Sequence, residues 1–128
     1  MNATSDVTFA SRGMPRLNEA APDFETVTTH GVRKLSDYKG KWLTLFFYPR
    51  DFTFICPTEI QEFGEHYEAF KALNCEVLAA STDSEHSHKA WFETDDRLKE
   101  VKYPIVADTT QELSDIYNVL DDEGAAQR

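Results

Sequence analysis

The sequence predicts a single α/β domain, with a parallel-centred sheet and helices packed on it. Three observations predict it. Strand-like and helix-like segments alternate along most of the chain. WLTLFFY, residues 42–48, is an almost unbroken apolar and aromatic run, as expected of a central strand covered on both faces. Over residues 53–74 the apolar period then changes to that of a helix.

The elements follow in chain order. Residues 1–20 read as an N-terminal arm without the apolar core of a secretory signal, and residues 21–128 as the domain. After Pro22, DFETVTT alternates as a strand does. Gly31 marks a turn, and VRKLSDYKGK leads to another at Gly40, completing an N-terminal strand pair. Pro49 ends the WLTLFFY strand. In the helix that follows, Ile60, Phe63, Tyr67, Phe70 and Leu73 are spaced 3, 4, 3 and 3, one stripe. Glu59, Glu62, Glu65 and Glu68 fall on its other faces, and Pro57 suits the first turn, where a missing N–H costs nothing. EVLAAS, residues 76–81, reads as a second buried strand. Residues 85–99 read as a charged helix carrying Trp91, Phe92 and Leu98. Pro104 opens a short strand, PIVAD; QELSDIYNVL is a last helical stretch, and DDEG a turn. A sheet of this kind ordinarily continues with another strand, so the domain is expected to be incomplete at its C-terminus.

Composition narrows the function classes. With 128 residues, 41% of them hydrophobic, the chain can bury a real core. Thirteen basic against 23 acidic residues give a net charge of −10, which argues against nucleic acid or an anionic membrane as partner. No apolar run approaches the ~18–20 residues of a membrane span. Two cysteines, Cys56 and Cys75, are too few for a disulfide scaffold and form no C-x-x-C pair. A reducing, cytoplasmic location is expected.

The stretch that carries chemistry is FFYPRDFTFICPTEI, residues 46–60. It places Cys56 where a strand ends and a helix begins. Ligands of open α/β sheets collect outside the carboxyl ends of strands. A helix N-terminus, with free N–H groups and partial positive charge, favours thiolate over thiol, and the thiolate is the nucleophile. The nearby carboxylates of Asp51, Glu59 and Glu62 oppose this, because a negative neighbour raises a thiol pKa. Arg50 is the one cation close in sequence, so an activated Cys56 needs a cation from elsewhere in the fold. Glu59 could position such a cation. The plainer alternative is an inert core thiol. Thr53 is either a helix N-cap or a hydroxyl that holds a substrate oxygen. Cys75 reads as a core cysteine. His30, His66, His86 and His88 read as solvated surface residues rather than metal ligands; His86 and His88, two apart, fall on different helix faces. Trp42 and Trp91 could serve an interface, but core packing is expected of both.

Pro49, Thr53 and Cys56, in P-x-x-x-T-x-x-C register, resemble the active-site signature of the peroxiredoxins. The resemblance is to the typical two-cysteine group that includes the peroxidase subunit of alkyl hydroperoxide reductase. It runs from Leu17 to Arg128 through NEAAPDF, LSDYKGKW, LAASTDSEHSHKAW and YPIVAD. It implies a thioredoxin-like fold, a central mixed sheet flanked by helices. It implies that Cys56 is a peroxidatic cysteine whose thiolate attacks the O–O bond of hydrogen peroxide or an organic hydroperoxide, becoming a sulfenic acid. Thr53 would orient the peroxide and Pro49 shield the sulfur. Arg128 matches the family's arginine, which stabilises the thiolate and the charge on the peroxide oxygens, and Glu59 the carboxylate that holds it. Thioredoxin or a flavin-containing reductase would be the electron donor, and a homodimer or decamer the assembly. No cofactor and no metal is expected.

The resemblance also implies a resolving cysteine and further strands and a helix beyond the position of Arg128, so the chain is expected to be a fragment of a longer peroxidase rather than a truncated gene product. A frayed chain end would fix the Arg128 guanidinium poorly. Two other readings are kept: a non-catalytic thioredoxin-like binding or holdase module, and a one-cysteine peroxidase reduced by an external thiol.

Overall fold

A computed structural model describes residues 15–52 and 56–127, with the backbone alone at Cys56. The N-terminal pair is an antiparallel hairpin, β1 (Glu25–Thr28) and β2 (Gly31–Lys34), closed by Gly31 at φ 94°. Thr28 secures the turn, its hydroxyl donating to the Gly31 carbonyl at 2.7 Å and accepting the His30 N–H at 3.0 Å. A single 3-10 turn (Leu35–Tyr38) leads to β3 (Trp42–Phe47). Next come α1 (Cys56–Glu65), α2 (Tyr67–Ala72), β4 (Cys75–Ser81), α3 (Glu85–Thr94), β5 (Ile105–Ala107) and α4 (Glu112–Ile116). The strands form one mixed sheet in the order β2-β1-β5-β4-β3. β3, β4 and β5 run parallel, in register Phe47↔Ala80 and Ala80↔Val106, and β1 is antiparallel to β5.

β5 is the middle strand of this sheet, and the alternation of the adjacent β4 splits the core in two. Val77 and Ala79 face one side, with Tyr48, Ile60, Trp91, Leu98, Tyr103 and Ile105; the half-buried Phe46, Phe63, Tyr67 and Phe70 pack against them. Leu78 and Ala80 face the other, with Phe24, Val106 and Leu113. Each fully buried large side chain contributes about 1.5–3 kcal/mol.

Several expectations change. β3 was expected at the centre; among the described residues it pairs with β4 alone and ends the strand order. Its apolar run does report cover on both faces, since Leu43, Leu45 and Phe47 pack on one cluster and Phe46 on the other. Cover on two faces does not imply neighbours on two edges. Trp42, expected in the core, is 76% exposed at the start of this strand.

The long helix is broken at His66 (φ −99°, ψ 7°) into α1 and α2, while His66 N–H still reaches the Glu62 carbonyl at 3.2 Å. The predicted stripe is buried or half-buried through Phe70, but Leu73 is 74% exposed, because the chain leaves the helix there and reverses at Asn74 (φ 59°). Gly64 allows α1 to lie against Val101: a Cβ at this position would stand 3.1 Å from Val101 Cγ2.

α3 stops at Thr94 rather than residue 99. Asp95 there takes the Arg97 N–H at 3.0 Å and its guanidinium at 3.0 and 2.7 Å, closing a turn that carries Leu98 into the core. Those bonds to Arg97 also hold the Asp95 carboxyl below the usual range. The last helix is one short turn, bracketed by left-handed Gln111 and Asn118 and capped by Asp108, whose carboxylate accepts the N–H groups of Leu113 and Ser114. The DDEG turn forms as expected. Gly124 has φ 84°, and the turn closes a Leu120↔Ala126 bridge.

Candidate active site

The site is built where β3 hands over to α1. Tyr48 completes the strand, its N–H reaching the Ala80 carbonyl at 2.9 Å, and Pro49 follows, half-buried. Cys56 is the first residue of α1 and Pro57 beside it is buried, so the first turn of this ten-residue helix is seated in the core. Glu59 lies in the same turn, half-buried. Pro49 thus follows the C-terminal end of a parallel strand, and Cys56 and Glu59 lie in the first turn of the next helix, whose N–H groups have no partner within the helix. Thr53 and Arg128 lie outside the described residues, as does the Cys56 side chain. The backbone leading to Arg128 is anchored as far as Gln127, whose N–H meets the Val119 carbonyl at 2.7 Å; Ala125 and Ala126 are buried.

Two sequence-based expectations near this turn are settled by partners far along the chain. Asp51 is not a loose surface carboxylate. It is 7% exposed, with Oδ1 accepting from the Tyr48 hydroxyl at 2.6 Å and Oδ2 accepting from the Ser87 hydroxyl at 2.8 Å. His88 is not solvated; it is fully buried, with Nδ1 2.7 Å from Asp51 Oδ2 and Nε2 2.9 Å from the Val106 carbonyl. His30, His66 and His86 are exposed, as expected. Burial, and then the Asp51 carboxylate, push the Tyr48 hydroxyl pKa well above its ordinary value, so this phenol stays a donor. Glu62 is exposed and lies 3.7 Å from His66.

Sequence reasoning missed this buried cluster. The one available signal was helical spacing: His88 lies three residues before the buried Trp91, on the inward face of α3. Cys75 is a core cysteine, buried, with its sulfur 3.4 Å from the Thr44 hydroxyl. Phe52 is 59% exposed, and its ring lies 5.8 Å from that of the buried Trp91. Among the described residues no group of three or more His, Cys, Asp or Glu is placed to hold a metal ion, and no helix is long and apolar enough to cross a membrane. A groove of about 790 Å³ lies between β1, the start of α3 and α4, floored by Phe24, Leu113 and Ile116; among the described residues, none of the 49–59 stretch lines it.

A mixed sheet whose parallel strand delivers a cysteine to a helix N-terminus defines the thioredoxin-like class. Residues 17–128 match the AhpC/TSA family, and the chain belongs to it. It is 48% identical over 120-odd positions to peroxiredoxin-2 of Mus musculus, the match covering 91% of this chain and 63% of the relative. It is 46% identical to the chloroplastic 2-cysteine peroxiredoxin of Chattonella marina var. antiqua, over 88% of this chain and 62% of the relative. The crystal structure of Enterococcus faecalis AhpC is similar at a TM-score of 0.80 and 39% identity, covering 88% of this chain and 71% of that one. The resemblance drawn from the Pro49–Cys56 signature thus holds, and with it the thioredoxin-like fold. The chain spans about 60% of the length of the curated relatives it matches.

Proposed function

We propose that this chain carries the peroxide-reacting part of a thiol-dependent peroxidase, with Cys56 as its nucleophile. One observation carries the reading: Cys56 opens a ten-residue helix at the carboxyl end of β3, in a chain of the AhpC/TSA family. The helix N-terminus supplies N–H groups and partial positive charge where a thiolate needs them. The thiolate attacks one peroxide oxygen as the O–O bond breaks. Its sulfur is oxidised to a sulfenic acid, and the other oxygen leaves as alkoxide or hydroxide, taking a proton to become alcohol or water. Thr53 orients the peroxide, Pro49 shields the sulfur, and Arg128 stabilises the developing negative charge, steadied by Glu59. Residues 21–128 form the working domain and 1–20 an arm. A thioredoxin or a flavin-containing reductase returns the sulfur to thiol, and the chain assembles as a homodimer or decamer. We place it in the cytoplasm, though one relative is chloroplastic by name.

The test is peroxide consumption with a thiol reductant. Cys56→Ser is expected to abolish it and Cys75→Ser to leave it largely intact, with sulfenic acid trapped at Cys56 in stoichiometric amount. The reverse pattern, or aggregation suppression with no thiol chemistry, would overturn the reading.

A further inference from the structure

We propose that Asp51 and His88 act as a positioning pair for the first turn of α1, and hence for Cys56, with His88 working through Asp51. The proposal rests for its purpose on the peroxidase reading, but its test is read on the thiol directly.

The chemistry of the contacts assigns the protons. The Val106 carbonyl can only accept, so Nε2 of His88, 2.9 Å away, carries a proton. One further proton lies between Nδ1 and Asp51 Oδ2 at 2.7 Å, while Ser87 and Tyr48 donate to the same carboxylate. A carboxylate surrounded by three donors and an imidazole held at both nitrogens leave no orientation free, and their burial is compensated by these bonds. His88 therefore ties Asp51 to α3, which carries the histidine, and to β5, which supplies the carbonyl.

The backbone of Asp51 is held as well, its N–H donating to Asp83 Oδ2 at 2.6 Å. Phe52, the next residue, is left-handed at φ 59°, a strained conformation for a bulky side chain. Such a conformation persists where the structure on both sides over-determines it. Here the fixed points are Asp51 on one side and buried Pro57 on the other, with Cys56 next to Pro57. Asp51 and Phe52, where the chain leaves the strand, are thus held by the sheet and α3.

Two substitutions of one residue separate positioning from bulk stability. In His88→Asn the amide can still donate to Asp51 in place of Nδ1, and the Val106 bond is lost. In His88→Gln the amide can reach Val106, and the bond to Asp51 is lost. Both are made in the full 128-residue chain. Alkylation of Cys56 by iodoacetamide is followed by mass spectrometry against pH, with thermal unfolding measured alongside. We expect His88→Gln to slow Cys56 alkylation about tenfold relative to His88→Asn, the scale of a small misplacement of a reacting group, with similar losses of stability in the two. Equal rates, or a slower His88→Asn, overturn the proposal. Should either fail to fold, Tyr48→Phe removes one donor and leaves the pair. It is expected to slow Cys56 measurably, and a native rate there overturns the proposal. Peroxide consumption is measured on the native chain in parallel. Its absence sinks the peroxidase reading alone, because alkylation still reports on the positioning.

Discussion

The hydroxyl of Tyr103 donates to the backbone carbonyl of Ile60 at 2.7 Å, wholly within the core. Ile60 is the fifth residue of α1, and Tyr103 lies just before β5. The bond therefore ties the start of the cysteine helix to the lead-in of β5, the sheet's middle strand, across 43 positions of sequence. Burial alone drives the Tyr103 pKa far above its ordinary value, so the phenol remains a donor at any pH the fold survives.

Tyr103→Phe keeps the ring and deletes this one bond. The Ile60 carbonyl retains its place in the helix, so the loss is expected at about 0.5–1.5 kcal/mol. The denaturation midpoint in urea measures it, with an unchanged m-value as the sign that the native state is otherwise intact.

Gly64→Ala is expected to gain less than the roughly 1 kcal/mol that alanine brings to an exposed helix interior. The new methyl meets Val101 Cγ2 at 3.1 Å, and the valine must give way. Adding Val101→Ala to Gly64→Ala is expected to recover more of that helix gain than the sum of the single changes predicts. A double-mutant cycle on unfolding free energies reads the coupling, and strict additivity would contradict the contact.

The two tryptophans report opposite environments. Trp91 is 2% exposed among Tyr48, Phe52 and Phe92, and Trp42 is 76% exposed. Trp42→Phe is expected to leave blue-shifted emission that acrylamide quenches weakly, and Trp91→Phe red-shifted emission that it quenches readily. Truncation of Trp91 to alanine is expected to cost about 3–5 kcal/mol, a loss that Trp42→Ala does not approach.

Alkaline pH probes the two faces of the sheet separately. Burial, then the hydrogen bond to Glu76, pushes the Tyr67 pKa up to about 12, and burial pushes Tyr117 up to about 12. In both the folded pKa lies above the unfolded value, so their contribution is fully present below pH 10 or so and is lost as pH rises towards 12. Stability is expected to fall over that window, more shallowly in Tyr67→Phe and in Tyr117→Phe. Phenolate absorbance of the native chain near pH 10 from these two residues would contradict the assignment.

The local elements were legible because neighbours in sequence decide them. The stripe Ile60, Phe63, Tyr67 and Phe70 specifies a helix and its inward face, and Pro57 its start. EVLAAS specifies a buried strand, and the DDEG turn follows from a glycine free to take positive φ. The position of Cys56 at a strand–helix junction follows from the same reasoning. Tertiary structure alone decided which strand is central, because an apolar run reports covered faces and carries no record of edge partners. It also decided that Asp51 and His88 go inside. A charged side chain is buried only when a partner meets it, and here the partners come from β5 and α3, thirty-seven positions separating acid from imidazole. No local pattern encodes a meeting at that distance, since it exists only once the sheet has assembled.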